Sequence, residues 1–321
     1  MADVLLTGAT GFVGRYLCRS LTSAGYAVTG TTRHSVGDRS ADEHKLISVG
    51  DLGSAVDWEP VLKGVDCVVH LAARVHVMRD LESDPLAAFR RVNVGGTERL
   101  LRHACESGVK RFVYISSVKV HGDATPGAPF KATDAPSPTD PYGHSKLEAE
   151  RVVEQVCERS GVETVIIRPP LVYGRGVGGN FRRLLQLVEK GYPLPFGRVE
   201  NQRSLVSVAN LCDLIRECLS NESAAGRTFL VSDDQDVSTP ELLMLIAASM
   251  SRSARLLPVP VPMLALAAKL IGQSAAMSRL TESLQVDIKD TMRTLNWKPP
   301  VSVAEGIQST VTWHKERKAD A

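Results

Sequence analysis

The chain has no CxxC pair, no block of like charges, no internal repeat and no run of about 18 uninterrupted apolar residues, and each absence removes a class of protein. Its six cysteines (Cys18, Cys67, Cys105, Cys157, Cys212 and Cys218) are scattered and fall mostly in apolar stretches. That excludes a disulfide frame or a zinc site and predicts reduced, buried thiols, so no metal is expected. A formal net charge of +2 with both signs interspersed leaves no basic face, so nucleic acid is not the expected partner. The first strand-like run begins next to Met1, and the expected location is cytoplasmic, with no membrane span. With 43% hydrophobic residues over 321 positions, the chain can bury a large core.

Against that background one stretch stands out. Thr7-Gly8-Ala9-Thr10-Gly11-Phe12-Val13-Gly14 follows the apolar run Val4-Leu5-Leu6 and opens a helical pattern. Gly8 permits a tight strand-to-helix turn, Gly11 lets backbone approach a pyrophosphate, and Gly14 lets helix and strand pack closely, with phosphate at the helix N-terminus. Strand-like runs are read at 3–7, 26–32, 45–49, 66–71, 111–116 and 163–168, and helices at 12–24, 54–63, 84–107 and 142–160. Their alternation predicts an α/β fold, a Rossmann-type doubly wound parallel sheet. The passage after Arg168, rich in Pro and Gly, predicts a smaller C-terminal substrate lobe. The expected division is 1–170, with 204–232 returning to it, against 171–203 and 233–321. The most apolar part of that lobe is 256–272. A helix at 263–271 suits either a core or a membrane surface; Pro260, Pro262 and Lys269 together with its shortness favour the core.

The chemistry is expected between residues 116 and 146. Tyr142 and Lys146 are four apart, so on a helix both project from one face. A phenol that titrates near ~10 becomes a usable acid or base when a cation lies beside it, and Lys146 is read as that cation. Pro141 opens the helix. Ser117 stands where the strand at 111–116 ends, the carboxyl-end position at which parallel sheets bind ligands.

These residues resemble the extended short-chain dehydrogenase/reductases of the nucleotide-sugar epimerase and reductase group, over nearly the whole chain. The matching features are the glycine loop, Ser117, Tyr142 and Lys146, the Asp51-Leu52 pair, His70-Leu71-Ala72-Ala73, and Asn93 in Asn-Val-Gly-Gly-Thr. The resemblance implies that Ser117, Tyr142 and Lys146 are catalytic. It implies a cofactor site of Gly8, Thr10, Gly11, Phe12, Val13, Gly14, Arg33, Asp51, Leu52, Leu71, Ala72, Ala73, Asn93, Tyr142, Lys146 and Pro169, with Asp51 and Leu52 at the adenine and Lys146 on the nicotinamide ribose. It implies substrate contacts at Asn180 and Arg203, which resemble positions that grip a nucleotide diphosphate, and at Lys119. A UDP-sugar substrate and a homodimer are expected.

Departures from the group narrow the reaction. Its 4,6-dehydratases carry an Asp-Glu pair after the catalytic hydroxyl, where this chain has Val118 and Lys119; without paired carboxylates dehydration loses its acid and base. Plain 4-epimerases usually carry small residues there, whereas Lys119 and His121 occupy Ser-Ser-Val-Lys-Val-His-Gly. At the end of the second strand Arg33 suits the 2′-phosphate of NADP, although Asp38 could return from the following loop to favour NAD. These features lean toward a reductase converting UDP-4-keto-6-deoxy-N-acetylglucosamine to UDP-N-acetylquinovosamine for surface polysaccharide. A UDP-hexose or UDP-N-acetylhexosamine 4-epimerase is the alternative, and a non-catalytic dinucleotide sensor the remote one.

Overall fold

The computed structural model describes residues 2–34, 45–75, 84–125 and 127–319. Nine strands are found among them: β1 (Asp3–Thr7), β2 (Ala27–Thr32), β3 (Lys45–Ser48), β4 (Cys67–His70), β5 (Arg111–Ile115), β6 (Glu163–Arg168), β7 (Leu171–Tyr173), β8 (Leu205–Ser207) and β9 (Arg227–Leu230). Seven form one parallel sheet in the order β3-β2-β1-β4-β5-β6-β9, and β7 pairs with β8 in a second, two-stranded sheet. The chain therefore folds as the expected doubly wound α/β sheet.

Period-2 alternation explains how the large sheet is covered on both faces. Val4, Leu6, Val113, Val165 and Ile167 enter one buried cluster with Leu17 and Leu21 of the helix Phe12–Ser23 and with Leu211 and Ile215 of the helix Val208–Ser220. Leu5, Phe112, Tyr114 and Ile166 face the other way, onto Leu100 of the helix Thr97–Glu106 and Val153 of the helix Pro141–Ser160. A third cluster gathers Tyr173 of β7 with Phe181, Leu185, Leu243 and Ile307 from helices that follow it. The order in which strands are added to the sheet reverses between the parallel neighbours β1 and β4, opening a crevice at their carboxyl ends.

Three expectations need correction. The helix expected at 54–63 forms only as Glu59–Leu62, because Pro60 suits a first turn and the Asp57 carboxylate accepts from Glu59 N–H in the turn before it. The helix expected at 84–107 is broken by a π-helical stretch, Arg90–Gly96, between Pro85–Phe89 and Thr97–Glu106. The apolar segment near 263–271 does form a helix, Val261–Leu270, but it is not a core helix. Leu264 and Ala268 are buried while Met263, Leu266, Leu270 and Ile271 face solvent. The helix lies at the periphery, where only one stripe of it meets the third cluster. Five of the six thiols are buried and Cys105 is half-buried.

Candidate active site

A cleft of about 640 Å³ opens over the β1/β4 crevice. Gly8 turns the chain with φ +71° and its α-carbon faces the backbone of Ala72, where a Cβ would come within 3.0 Å of Ala72 N. A Cβ on Gly14 would stand 2.1 Å from Gly8 O, so the helix can approach the turn only because that position is glycine. Gly11 caps the helix Phe12–Ser23 with no side-chain cap and no acidic residue in the first turn, so its leading N–H groups suit an anion. Thr10, Phe12 and Val13 border this end of the cleft, Leu71, Ala72, Ala73 and Pro169 its middle, and Leu52, Val49 and Val92 form an apolar slot beyond. An anion-ready helix end joined to an apolar slot fits a dinucleotide's pyrophosphate and adenine.

Beyond the glycine turn, β5 and the helix Pro141–Ser160 bring the reactive groups together. Asp140 caps that helix, accepting from Gly143 N–H at 2.6 Å, with Pro141 at its first position. Tyr142, Lys146 and Ser117 all border the cleft. Ser117 hydrogen-bonds the Tyr142 phenol, yet burial dominates and pushes the phenol up to about 12. Lys146 is engaged by β5 in this structure. Its Nζ donates to Ile115 O at 2.7 Å and lies 4.1 Å from the Tyr114 ring centre. Burial lowers its pKa to about 7, with Glu150 one turn further along opposing that shift. Against the phenol's own burial, the hydrogen bond from Ser117 lowers its pKa.

Because the folded pKa of Lys146 lies below its ordinary value, the folded state holds fewer protons than the unfolded chain between about pH 7 and ~10.4. The penalty of burying this cation is full below pH 7 and is relieved as pH rises through that window. Lys146→Met is accordingly expected to raise Tm by several degrees at pH 6, and by clearly less at pH 9. Thermal unfolding at the two pH values checks this, and a larger gain at pH 9 would refute it.

A buried hydrogen-bond chain that sequence reading missed braces the crevice. Ala72 N–H donates to Thr7 Oγ1 at 3.1 Å, Thr7 Oγ1 meets His70 Nδ1 at 2.7 Å, and His70 Nε2 meets Thr97 Oγ1 at 2.9 Å. Thr97 gives its single proton to Asn93 O at 2.6 Å, so Nε2 must donate to Thr97 and Nδ1 accept from Thr7. Burial first, and Lys146 second, lower His70 to about 3 and keep it neutral. The available signal was that Thr7 and His70 end neighbouring strands and pair in register.

Several expected ligands lie elsewhere. Asn93 is buried with its amide engaged: Oδ1 accepts from Arg74 N–H at 2.7 Å, and Nδ2 donates to Arg74 O and Ser145 Oγ, each at 3.0 Å. It fastens the loop after β4 to the helix Pro141–Ser160 instead of lining the cleft. Asp51 stands at the adenine-end rim, 3.7 Å from Arg33, both more than half exposed. Asp38 lies outside the described residues. Lys119 is held between Asp123 and Asp140, the latter at 2.7 Å, so its charge is offset and not presented to a sugar. Asn180 is exposed in the first turn of the helix Gly179–Lys190, and Arg203 donates to Glu282 O at 3.0 Å; neither borders the cleft. His121 is buried, stacked on Phe130, and its Nε2 is engaged by Arg168 at 2.9 Å. Among the described residues no cluster suits a metal ion and no helix is long and apolar enough to cross a membrane.

Comparison with known proteins bears on this arrangement. Residues 4–232 match the NAD dependent epimerase/dehydratase family. The chain is 48% identical over 311 residues to a UDP-glucose 4-epimerase of Vibrio cholerae, covering 96% of this chain and 94% of the relative. A Bacillus cereus UDP-glucuronic acid 4-epimerase crystallised with NAD superposes with a TM-score of 0.79 at 20% identity, covering 98% of this chain and 99% of that one. A Thermotoga maritima UDP-glucose 4-epimerase with UDP-glucose superposes with a TM-score of 0.78 at 21% identity, over 98% and 99%. The sequence match takes in the glycine turn, the β1/β4 crevice and the helix that carries Tyr142 and Lys146, and this chain belongs to the NAD dependent epimerase/dehydratase family.

Proposed function

We propose that the protein is a UDP-hexose or UDP-N-acetylhexosamine 4-epimerase that retains NAD. The observation that carries this reading is the 48% identity to the Vibrio cholerae 4-epimerase along 96% of the chain. The geometry supports it over the 4-ketoreductase expected from sequence, since the residues behind that expectation are all engaged. Asp51 stands beside Arg33 and would repel a 2′-phosphate, Lys119 is paired with two carboxylates, and His121 is held by Arg168. The missing carboxylate pair at Val118 and Lys119 still argues against dehydration.

The proposed roles follow from position. Bound NAD supplies a reversible hydride acceptor for C4 of the sugar. Tyr142, hydrogen-bonded to Ser117, takes the proton of the C4 hydroxyl and returns it after the keto sugar has presented its other face. Lys146, on the same helix face, would hold the cofactor ribose and, partly charged near neutral pH, would favour ionisation of the phenol once a positive ring lies beside it. Asn180 and Arg203, which do not line the cleft in this structure, are the candidate contacts to the nucleotide diphosphate from the C-terminal lobe.

The test needs no added nucleotide. Purified protein is expected to interconvert UDP-glucose and UDP-galactose, or their N-acetylated counterparts, and to release NAD when denatured. Dependence on added NADPH with turnover of a 4-keto-6-deoxy sugar alone would restore the reductase; bound nucleotide with no turnover on any UDP-sugar would leave only a sensor.

A further inference from the structure

We propose that the helix Val261–Leu270 and the turn after it are a docking surface for an anionic lipid bilayer. The helix is held through Leu264, which enters the third buried cluster, and Val261, which packs against it, with Ala268 buried one turn after Leu264. A different stripe carries Met263 (61% exposed), Leu266 (61%) and Leu270 (80%), and Ile271 (72%) and Leu257 (48%) extend it at either end. The spacing of three and four places Met263, Leu266 and Leu270 along one side of the helix. Exposed side chains of this size gathered on one short element mark a contact surface, not chance exposure.

Charge identifies what it contacts. Between Glu241 and Glu282 the chain has four cations, Arg252, Arg255, Lys269 and Arg279, and no carboxylate. All four are exposed, and among the described residues none pairs with a carboxylate; Arg252 donates to a backbone carbonyl, Glu189 O. In a chain whose formal net charge is only +2, this is a local concentration of one sign. An exposed apolar strip in a segment whose only charged side chains are exposed cations is the pattern of a helix lying in the plane of an anionic membrane, with the apolar side chains among the acyl boundary and the cations at the headgroups. A 10-residue helix of about 15 Å is too short to span. A second copy of the chain suits the surface poorly, because a two-fold contact would set four cations against the same four.

The experiment is flotation of the purified full chain with vesicles of phosphatidylcholine containing about 30% phosphatidylglycerol, and with phosphatidylcholine alone. The protein is expected to float with the anionic vesicles, to stay behind with the neutral ones, and to be released by high salt. Leu266→Asp with Leu270→Asp, both at exposed positions, is expected to lower partition by about 100-fold or more, and Lys269→Glu with Arg255→Glu by about tenfold. Both variants should keep the wild-type Tm and turnover of soluble substrate, since neither touches the cleft. Failure of the wild type to float, or flotation of the variants like wild type, would overturn the proposal. So would a change of oligomeric state in the leucine variant by sedimentation, which would make this face an interface between copies.

Discussion

Tyr142→Phe is expected to lower kcat by about 100-fold or more while UDP-sugar and cofactor still bind. The substitution keeps the ring, which packs edge-on against Phe89 with centroids 6.0 Å apart, and removes only the hydroxyl that Ser117 engages. What is lost is a group that matters where charge develops at the substrate oxygen, so the effect should fall on turnover rather than on affinity. Burial pushes the phenol up to about 12 in the ligand-free site, so the intact enzyme's activity should rise with pH from the acid side as the phenol is brought into ionisation by bound ligand. Steady-state kinetics with a binding titration checks the pair of outcomes. A variant that turns over within a few-fold of wild type would remove Tyr142 from the proposed mechanism.

Arg168→Met is expected to lower Tm by roughly 10 °C, reflecting a loss of about 3–5 kcal/mol. Arg168 ends β6 almost fully buried and grips the equally buried Glu150 through two bonds, Nε to Oε1 at 3.0 Å and Nη2 to Oε2 at 2.7 Å. Its other branch reaches His121 Nε2 at 2.9 Å and Ala132 O at 3.1 Å. Methionine preserves much of the volume but leaves the Glu150 carboxylate without its partner, and it is that stranded charge, more than the lost bonds, that destabilises. Adding Glu150→Gln should therefore recover most of the loss. Thermal unfolding of the single and double variants tests this; a Tm of the single variant within about 2 °C of wild type, or no recovery in the double, would rule out the stranded-charge account.

The first five strands and the strand at 163–168 were legible because each is a short apolar run between turn signals, and the glycine turn because its residue types have few other uses after a strand. The Tyr142, Lys146 and Ser117 set was legible for the same local reason, since a spacing of four on a helix and a position at a strand end are fixed by sequence. Asp140 was overlooked although a carboxylate before a proline is a readable helix start. The π-helical register at Arg90–Gly96 carries no equivalent local sign, and the partners its Asn93 meets, Arg74 and Ser145, lie far from it in sequence.

What the sequence by itself determined was the doubly wound sheet, the nucleotide turn and the identity of the groups that can move a proton. The tertiary structure decided which charges remain available: Arg33 meets Asp51, Lys119 meets Asp123 and Asp140, and Lys146 turns to Ile115 O and the Tyr114 ring. It also decided that Met263, Leu266 and Leu270 lie outside a core that their composition suits. The reason is physical. Periodicity and turn chemistry act between residues near in sequence, whereas the field at a charged group and the burial of an apolar one are set by whatever distant segment folds against it.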